Sequence, residues 1–243
     1  MTAHIGISNA GGDETAAADL ARSLGLSLVT DESSDYLLVL TPERLELRET
    51  ASRTRPVYVD FSESGRRQGK REAVARAVGV KGSFRPTVFD ATAGLGGDAF
   101  VLAAEGCSVT LVERSRIVAA LLSDGLRRAA GDPSTADVAA RMTLVRGEAR
   151  DILLTLNPAE RPDTVYLDPM YPETGKTAAK RKEMRFFREL VGDDLDAGAL
   201  LDTALTVAKR RVVVKRPAKA GFLGVEPSAT LPGKTTRFDL YLV

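Results

Sequence analysis

Hydrophobic and polar residues follow one pattern in the first quarter of the chain and another in the remainder. In the first quarter, short apolar runs at His4–Ser8, Tyr36–Thr41 and Val57–Phe61 have the length and composition of β-strands. Between the first two runs, Asp13–Leu24 repeats apolar residues at helical spacing behind an aspartate that can cap a helix. We therefore predict a small N-terminal α/β lobe over residues 1–62.

From residue 84 onward the pattern becomes a regular alternation of strands and helices. The predicted strands are Thr87–Asp90, Val109–Glu113, Met142–Arg146, Val165–Asp168 and Arg211–Lys215. The predicted helices are Asp98–Ala104, Ile117–Arg128, Met184–Val191 and Ala197–Ala208. Such alternation is typical of a parallel sheet covered by helices. The tail instead alternates residue by residue around Phe238 and Leu240, which predicts an antiparallel edge strand. Residues 84–243 are thus expected to form a Rossmann-like domain, joined to the lobe by a linker and helix over 63–83.

Composition removes several kinds of chemistry from consideration. The chain has one cysteine, Cys107, and one histidine, His4, so it cannot form an internal disulfide or a metal site rich in these residues. No apolar run approaches the roughly 20 residues that span a bilayer, and the N-terminus lacks the features of a signal peptide. The expectation is a cytoplasmic protein, without membrane or metal partners and most simply a monomer.

A glycine-rich turn joins the first predicted strand of the larger region to its first helix. The turn runs from Asp90 through Gly94, Gly96 and Gly97 to Asp98, and Glu113 follows at the end of the next strand. Glycines at this point allow a ligand to approach the backbone, and an acid after the second strand can accept hydrogen bonds from ribose hydroxyls. A carboxylate at position 98 would repel a diphosphate at the helix start, so this turn favours S-adenosylmethionine over NAD.

A second motif stands at the end of a buried strand, where Asp168 and Pro169 are followed by Met170 and Tyr171. It resembles the (Asp/Asn)-Pro-Pro-(Tyr/Phe) motif of methyltransferases that act on amino groups. The Asp168 side chain and the Pro169 carbonyl can orient a weakly nucleophilic amine by accepting its hydrogen bonds. Tyr171 offers a flat face on which a base can stack.

Several segments together resemble the bacterial small-subunit ribosomal RNA guanine-N2 methyltransferase family of the J type. They are the turn from Asp90 to Ala104, the segments around Leu40, Val118, Tyr166, Lys182 and Leu190, and Arg211-Val-Val-Val-Lys-Arg-Pro. The resemblance implies a class I S-adenosylmethionine-dependent methyltransferase fold and methylation of a guanine N2, guanine 1516, in 16S rRNA. It also implies cofactor contacts from the pairs Gly97 and Asp98, Glu113 and Arg114, and Glu148 and Ala149, together with Asp168.

The basic residues are grouped unevenly, although the formal net charge is only +1. A near-neutral total can hide a basic face. The candidate RNA contacts lie just after the second motif and at the end of a later strand: Lys176, Lys180, Lys182, Arg185, Lys215 and Arg216. The predicted partner is therefore 16S rRNA or the small ribosomal subunit.

Three other functions remain open at this point. The same catalytic residues suit an adenine N6 or a protein glutamine as the methyl acceptor. An NAD-dependent oxidoreductase would share the glycine turn, although no acid–base pair for hydride chemistry stands out. A non-catalytic RNA-binding protein would keep the fold without the reaction.

Overall fold

The structure is a computed structural model of the chain and describes residues 4–30, 34–51, 55–62, 68–169 and 196–243. The predicted helix Met184–Val191 lies outside these ranges. Among the described residues, no helix combines the length and the apolar character needed to cross a membrane.

The N-terminal region contains a three-stranded sheet and one helix. The strands are β1 (Ile5–Asn9), β2 (Tyr36–Leu40) and β3 (Leu45–Glu49), in the order β1-β2-β3, with β1 parallel to β2 and β3 antiparallel to β2. Helix α1 (Glu14–Leu24) begins after Asp13, whose carboxylate accepts a hydrogen bond of 2.9 Å from a backbone amide of the first turn.

Two sequence predictions for this region were wrong. Strand β3 was not predicted, because its Leu-Glu-Leu-Arg-Glu sequence carries charged residues that suggest a surface loop. Conversely, Val57–Phe61 was predicted as a strand but makes only one isolated bridge, between Val57 and Leu47. Its apolar side chains Val59 and Phe61 are buried against the neighbouring helices instead.

The remaining chain forms an α/β domain. In chain order its elements are α2 (Gln68–Val78), β4 (Val88–Asp90), α3 (Gly97–Ala104), β5 (Val109–Glu113), α4 (Arg116–Gly131), α5 (Ala136–Ala139), β6 (Met142–Arg146), α6 (Ala149–Thr155), β7 (Thr164–Leu167), α7 (Ala197–Val207), β8 (Arg211–Pro217), β9 (Ala229–Leu231) and β10 (Thr236–Leu242). The division of the chain at residues 62 and 83 stays a prediction.

The seven strands form one sheet in the order β6-β5-β4-β7-β8-β10-β9. The first five strands are parallel and β10 is antiparallel to both of its neighbours. Strand β5 lies on one side of β4 in the sheet, and β7 lies on the other side of β4. Loops that follow β4 and β7 therefore diverge at the same edge and open a crevice, which is the usual position of a ligand site in such sheets.

The tail strand β10 is antiparallel, as predicted, but it is not the edge of the sheet. The three-residue strand β9 pairs outside it, and its exposed residues were too few to produce a recognisable pattern. Both faces of β10 are buried. Phe238 and Leu240 face one hydrophobic cluster, while Arg237, Asp239 and Tyr241 are buried on the other side.

The N-terminal region packs against helix α4 of the larger domain. The Asp124 carboxylate accepts a hydrogen bond of 3.0 Å from the backbone amide of Leu45, and it is paired with Arg128 at 2.9 Å. Arg128 also donates to the backbone carbonyl of Val59. At Gly125, a Cβ atom would lie 2.3 Å from Cγ1 of Val59, so the two segments approach as closely as a glycine allows.

Substitution of Gly125 by alanine is expected to lower the free energy of unfolding by about 1–3 kcal/mol, because the added methyl group must displace Val59. Gly131, at the end of the same helix, is the matched control, because a Cβ atom there would have no neighbouring atom within 4 Å. Urea unfolding should show a loss of stability for G125A and none for G131A. Equal stability of the two variants would contradict the close packing of Gly125 against Val59.

Candidate active site

The glycine turn between β4 and α3 depends on two left-handed glycines. Gly94 and Gly96 have φ angles of 53° and 75°, a region that other residues rarely adopt. A Cβ atom at Gly96 would also lie 2.7 Å from Cδ1 of Leu122 in α4. The turn can therefore pack closely against α4 only with a glycine at position 96.

Glu113, at the end of β5, is held in place by the backbone. One of its carboxylate oxygens accepts a hydrogen bond of 2.9 Å from the amide of Gly94, and the other accepts one of 2.7 Å from the amide of Ser115. The residue is only 5% exposed. The acid and the glycine turn thus form one unit, with the carboxylate fixed at the edge of the crevice.

Asp168, directly after β7, is joined to the turn region through Lys215 of β8. The Lys215 Nζ atom lies 2.6 Å from an oxygen of Asp168 and 2.6 Å from an oxygen of Asp98 in the first turn of α3. The Tyr166 hydroxyl donates a further hydrogen bond of 2.7 Å to Asp98. The backbone amide of Asp168 donates to the hydroxyl of Thr92 at 2.6 Å. These contacts bind the loops after β4 and β7 to each other.

The electrostatics of this cluster favour a charged lysine. Burial lowers the pKa of Lys215, but the carboxylates of Asp168 and Asp98 outweigh this effect and raise it above its ordinary value. Burial, with the neighbouring carboxylates, raises the pKa of Tyr166, so this side chain remains a hydroxyl donor.

Asp90 is buried beneath the turn and behaves differently from the other acids. It is 2% exposed and accepts a hydrogen bond of 3.2 Å from the backbone amide of Thr92. Burial, reinforced by the negative charges of Asp98 and Asp168, raises its pKa to about 8. Asp90 is therefore mostly protonated at neutral pH, and the cluster avoids a third negative charge.

A cleft opens at this edge of the sheet and has a volume of about 700 Å³ including its open mouth. Seven of the residues predicted to serve the site line it: Gly94, Glu113, Arg114, Glu148, Ala149, Asp168 and Pro169. Val112, Ala149 and Leu200, which belong to one hydrophobic cluster, provide an apolar wall of the same cleft. An apolar wall with one fixed acid suits a nucleoside, whose base needs a hydrophobic surface and whose ribose needs hydrogen-bond acceptors.

Four other predicted residues do not appear among those lining the cleft: Asp90, Gly96, Gly97 and Asp98. Asp90 and Gly96 support the turn from the protein interior. We expected Asp98 to contact the cofactor, and the structure pairs it with Lys215 and Tyr166. Gly97 has open space around its Cβ position, so nothing in the packing requires glycine there.

The predicted RNA contacts at Lys215 and Arg216 are not supported by their surroundings. Lys215 has a side chain only 17% exposed and is engaged in ion pairs inside the site. Arg216 is 4% exposed on the opposite face of β8, where its guanidinium donates to the carbonyl of Gly221 at 2.5 Å. Burial and the adjacent Arg237 lower the pKa of Arg216. Neither side chain is presented to a backbone phosphate.

The other predicted substrate residues, Lys176, Lys180, Lys182 and Arg185, lie outside the described residues, as does Tyr171. Conversely, the structure adds two charged side chains to the cleft lining that the sequence did not suggest. Arg150 lines the cleft from the first turn of α6, and Asp196 reaches its rim and pairs with Arg114 at 3.3 Å. No motif signal marks either residue, because both positions depend on how helices α6 and α7 meet the sheet.

The raised pKa of Asp90 predicts a pH dependence of stability. The folded protein keeps this proton up to about pH 8, whereas the ordinary value for the group is 3.8. Between pH 3.8 and about pH 8 the folded state holds a proton on Asp90 that the unfolded state has lost. The contribution of this group to the free energy of unfolding therefore falls by about 1.4 kcal/mol for each unit that the pH rises. The Asp90→Asn variant should therefore show a melting temperature that falls less between pH 6 and 8 than that of the parent. Parallel curves would show that Asp90 does not titrate as described.

Among the described residues, no group of three or more His, Cys, Asp or Glu side chains is arranged to hold a metal ion. Asp90, Asp98, Glu113 and Asp168 are engaged with backbone amides, Lys215 or Tyr166.

Comparison with known proteins extends this picture to the whole chain. The family model described as "Putative SAM-dependent methyltransferase" matches residues 19–243. A ribosomal RNA small subunit methyltransferase J from Thioalkalivibrio sulfidiphilus is 55% identical over 232 residues, which cover 92% of this chain and 91% of the relative. One of the same name from Aeromonas salmonicida is 52% identical and covers 95% of both chains.

A solved structure is also similar. The crystal structure of a SAM-dependent methyltransferase from Neisseria gonorrhoeae superposes with a TM-score of 0.79 at 41% identity, covering 97% of this chain and 95% of that chain. These matches confirm the resemblance and the Rossmann-like class I fold, and they leave the NAD-dependent oxidoreductase without support. The cofactor is accordingly S-adenosylmethionine, and the chain belongs to the ribosomal RNA small subunit methyltransferase J family of SAM-dependent methyltransferases.

Proposed function

We propose that this enzyme transfers a methyl group to the exocyclic N2 amine of a guanine in the 16S RNA of the small ribosomal subunit. The names of the curated relatives support small-subunit ribosomal RNA as the substrate. The sequence resemblance implies guanine N2 as the acceptor. A ribosomal substrate also implies that the protein acts in the cytoplasm.

One observation carries the proposal: Asp168 and Pro169 line the same cleft as Gly94 and Glu113. An amine that reaches Asp168 therefore enters the space that the cofactor turn borders. Methyl transfer requires this proximity, because the nucleophile and the methyl carbon must come within about 3–3.5 Å of each other.

The geometry of the cleft supports a cofactor role for several of its lining residues. Glu113 would accept hydrogen bonds from the ribose hydroxyls, while Val112, Ala149 and Leu200 would enclose the adenine. Glu148, exposed at the rim, is a candidate acceptor for the adenine amino group. When bound, S-adenosylmethionine supplies a methyl group on a positively charged sulfur.

Asp168 and the Pro169 carbonyl would accept hydrogen bonds from the amine and turn its lone pair toward that methyl group. Lys215 has a positioning role, since its ion pair fixes one Asp168 oxygen and its positive charge stabilises the carboxylate form. The amine nitrogen would become positively charged as it bonds to the methyl carbon, while the bond from that carbon to sulfur breaks and leaves the sulfur as a neutral thioether. The nitrogen then loses a proton to Asp168 or to water.

Residues beyond the described part of the chain complete the proposed substrate site. Tyr171, three residues after Asp168 in the sequence, would stack on the target base. Lys176, Lys180, Lys182 and Arg185 would contact the phosphates on either side of it. These assignments rest on the sequence alone.

The Asp168→Ala variant tests the proposed reaction. With methyl-labelled cofactor and small subunits lacking the modification, we expect kcat to fall at least about 100-fold, because the amine is no longer oriented. Cofactor affinity should remain measurable by calorimetry, because Gly94 and Glu113 still border the cleft. The exposed residue Asp202 of α7 provides the control variant D202A, which should be fully active.

Mapping of the labelled nucleotide in the wild-type reaction then separates the possible acceptors. Label on a guanine N2 of 16S rRNA supports the proposal, whereas label on an adenine N6 or on protein would replace the substrate. Cofactor binding without transfer to any RNA would favour the non-catalytic alternative. Undiminished turnover by D168A would remove Asp168 from the mechanism.

The Glu113→Gln variant tests the cofactor side of the cleft. Glutamine retains one acceptor oxygen but loses the charge and a second acceptor, so both the ribose contacts and the link to Gly94 weaken. We expect the Kd for S-adenosylmethionine to rise at least about tenfold. The variant E72Q, on the exposed side of α2, is the control and should bind normally. An unchanged Kd for E113Q would exclude Glu113 from the cofactor site.

A further inference from the structure

The connection between β8 and β9, residues 218–228, is held in place through its own backbone. The buried Arg237 side chain donates hydrogen bonds to the carbonyls of Ala218 at 3.1 Å and Gly221 at 3.3 Å. The Tyr241 hydroxyl donates to the carbonyl of Val225 at 3.2 Å. This β8–β9 loop contains no helix or strand, yet donors from β10 hold its path.

The loop turns Leu223 inward and leaves two apolar side chains, Phe222 and Val225, exposed. Leu223 packs against the hydrophobic cluster beneath α7. Phe222 is 47% exposed, and its ring centroid lies 5.2 Å from the guanidinium carbon of Arg237. The Arg237 guanidinium contacts the Phe222 ring, and the loop backbone is fixed by hydrogen bonds. Together these contacts hold the ring in a defined position.

The position of Phe222 relates it to the catalytic cleft. Arg237, which it accompanies, pairs in register with Arg216, the residue after Lys215. Strand β8 lies between β7, which ends before Asp168, and β10, which carries Arg237, so two strand spacings of about 5 Å each separate β7 from β10. Arg216 and Arg237 also lie on the sheet face that α7 covers, the helix whose first residues line the cleft. The loop that carries Phe222 follows β8, which is parallel to β7, so it leaves the sheet at the same edge as Asp168 and the cleft.

The charges around Phe222 are mainly positive. Lys219 is exposed three residues before it, and Lys234 is exposed in the turn between β9 and β10. A hydrogen bond of 3.0 Å from the amide of Ala218 to the carbonyl of Thr235 ties these two segments together. The loop itself contributes one exposed acid, Glu226. An exposed aromatic ring with flanking lysines is the combination that binds unpaired nucleotides.

We propose that Phe222 is a stacking platform for an unpaired RNA base close to the methylated nucleotide, with Lys219 and Lys234 contacting the adjoining phosphates. This inference rests on the proposed function and locates part of the RNA-binding surface. Recognition of single-stranded RNA commonly uses stacking of this kind, because the bases there are accessible. The platform would hold a neighbouring nucleotide while the target base enters the cleft.

The experiment compares Phe222→Ala and Phe222→Leu with the parent, using naked 16S rRNA transcript and methyl-labelled cofactor. Leucine keeps apolar volume but removes the flat ring, so both variants should raise the KM for RNA about tenfold. The kcat at saturating RNA and the Kd for cofactor should stay unchanged. The double variant K219A/K234A should reduce the slope of log affinity against log salt by about 1–2 in filter binding.

Phe84 offers a closely matched control. It is 39% exposed and lies 4.6 Å from the guanidinium carbon of Arg210, but it precedes β4 and so lies at the opposite edge of the sheet. F84A should leave the KM for RNA unchanged. If F222A behaves like F84A while the parent methylates the RNA, the inference fails and the proposed function stands. A defect on intact subunits but not on naked RNA would also overturn it, in favour of a protein contact. A parent inactive on every RNA would refute the proposed function itself.

Discussion

The ammonium group of Lys215, held between two carboxylates, is the interaction on which the site depends. Asp98 belongs to the helix after β4 and Asp168 to the loop after β7, so one lysine from β8 ties together elements from three strands. A partly buried charge is tolerated only when it is paired. Protonated Asp90 reduces the negative charge that the lysine must balance. The crevice at the strand ends is thereby given a fixed width before any ligand enters.

Glu113, which also lines the crevice, is likewise fixed before a ligand binds. Two backbone amides hold its carboxylate, one from the glycine turn and one from the start of α4. Helix α4 in turn carries the N-terminal sheet, through Asp124 and the close contact at Gly125. The smaller sheet thus reinforces the helix that follows the cofactor acid. A preorganised acid requires less ordering when a ligand binds, which favours affinity.

Local patterns were sufficient to predict much of this architecture. The alternation of strands and helices, the left-handed glycines, the acid at the end of β5 and the aspartate at the end of β7 all depend on short-range rules. Lys215 was assigned to RNA because it stands with Arg216 at the end of a strand next to the predicted cleft. Its actual partners are 47 and 117 residues away in the sequence, and no periodicity reveals them. Strands β3 and β9 were missed for different reasons. Strand β3 is highly charged, and β9 has only three residues.

The way in which the β8–β9 loop is anchored has an evolutionary consequence. Its conformation is set largely by carbonyl groups that every amino acid possesses, while the donors sit in β10. Exposed positions in the loop can therefore mutate with little penalty to folding. Selection can retune which surface the enzyme recognises without disturbing the scaffold that performs the reaction, and a protein engineer can diversify the same positions.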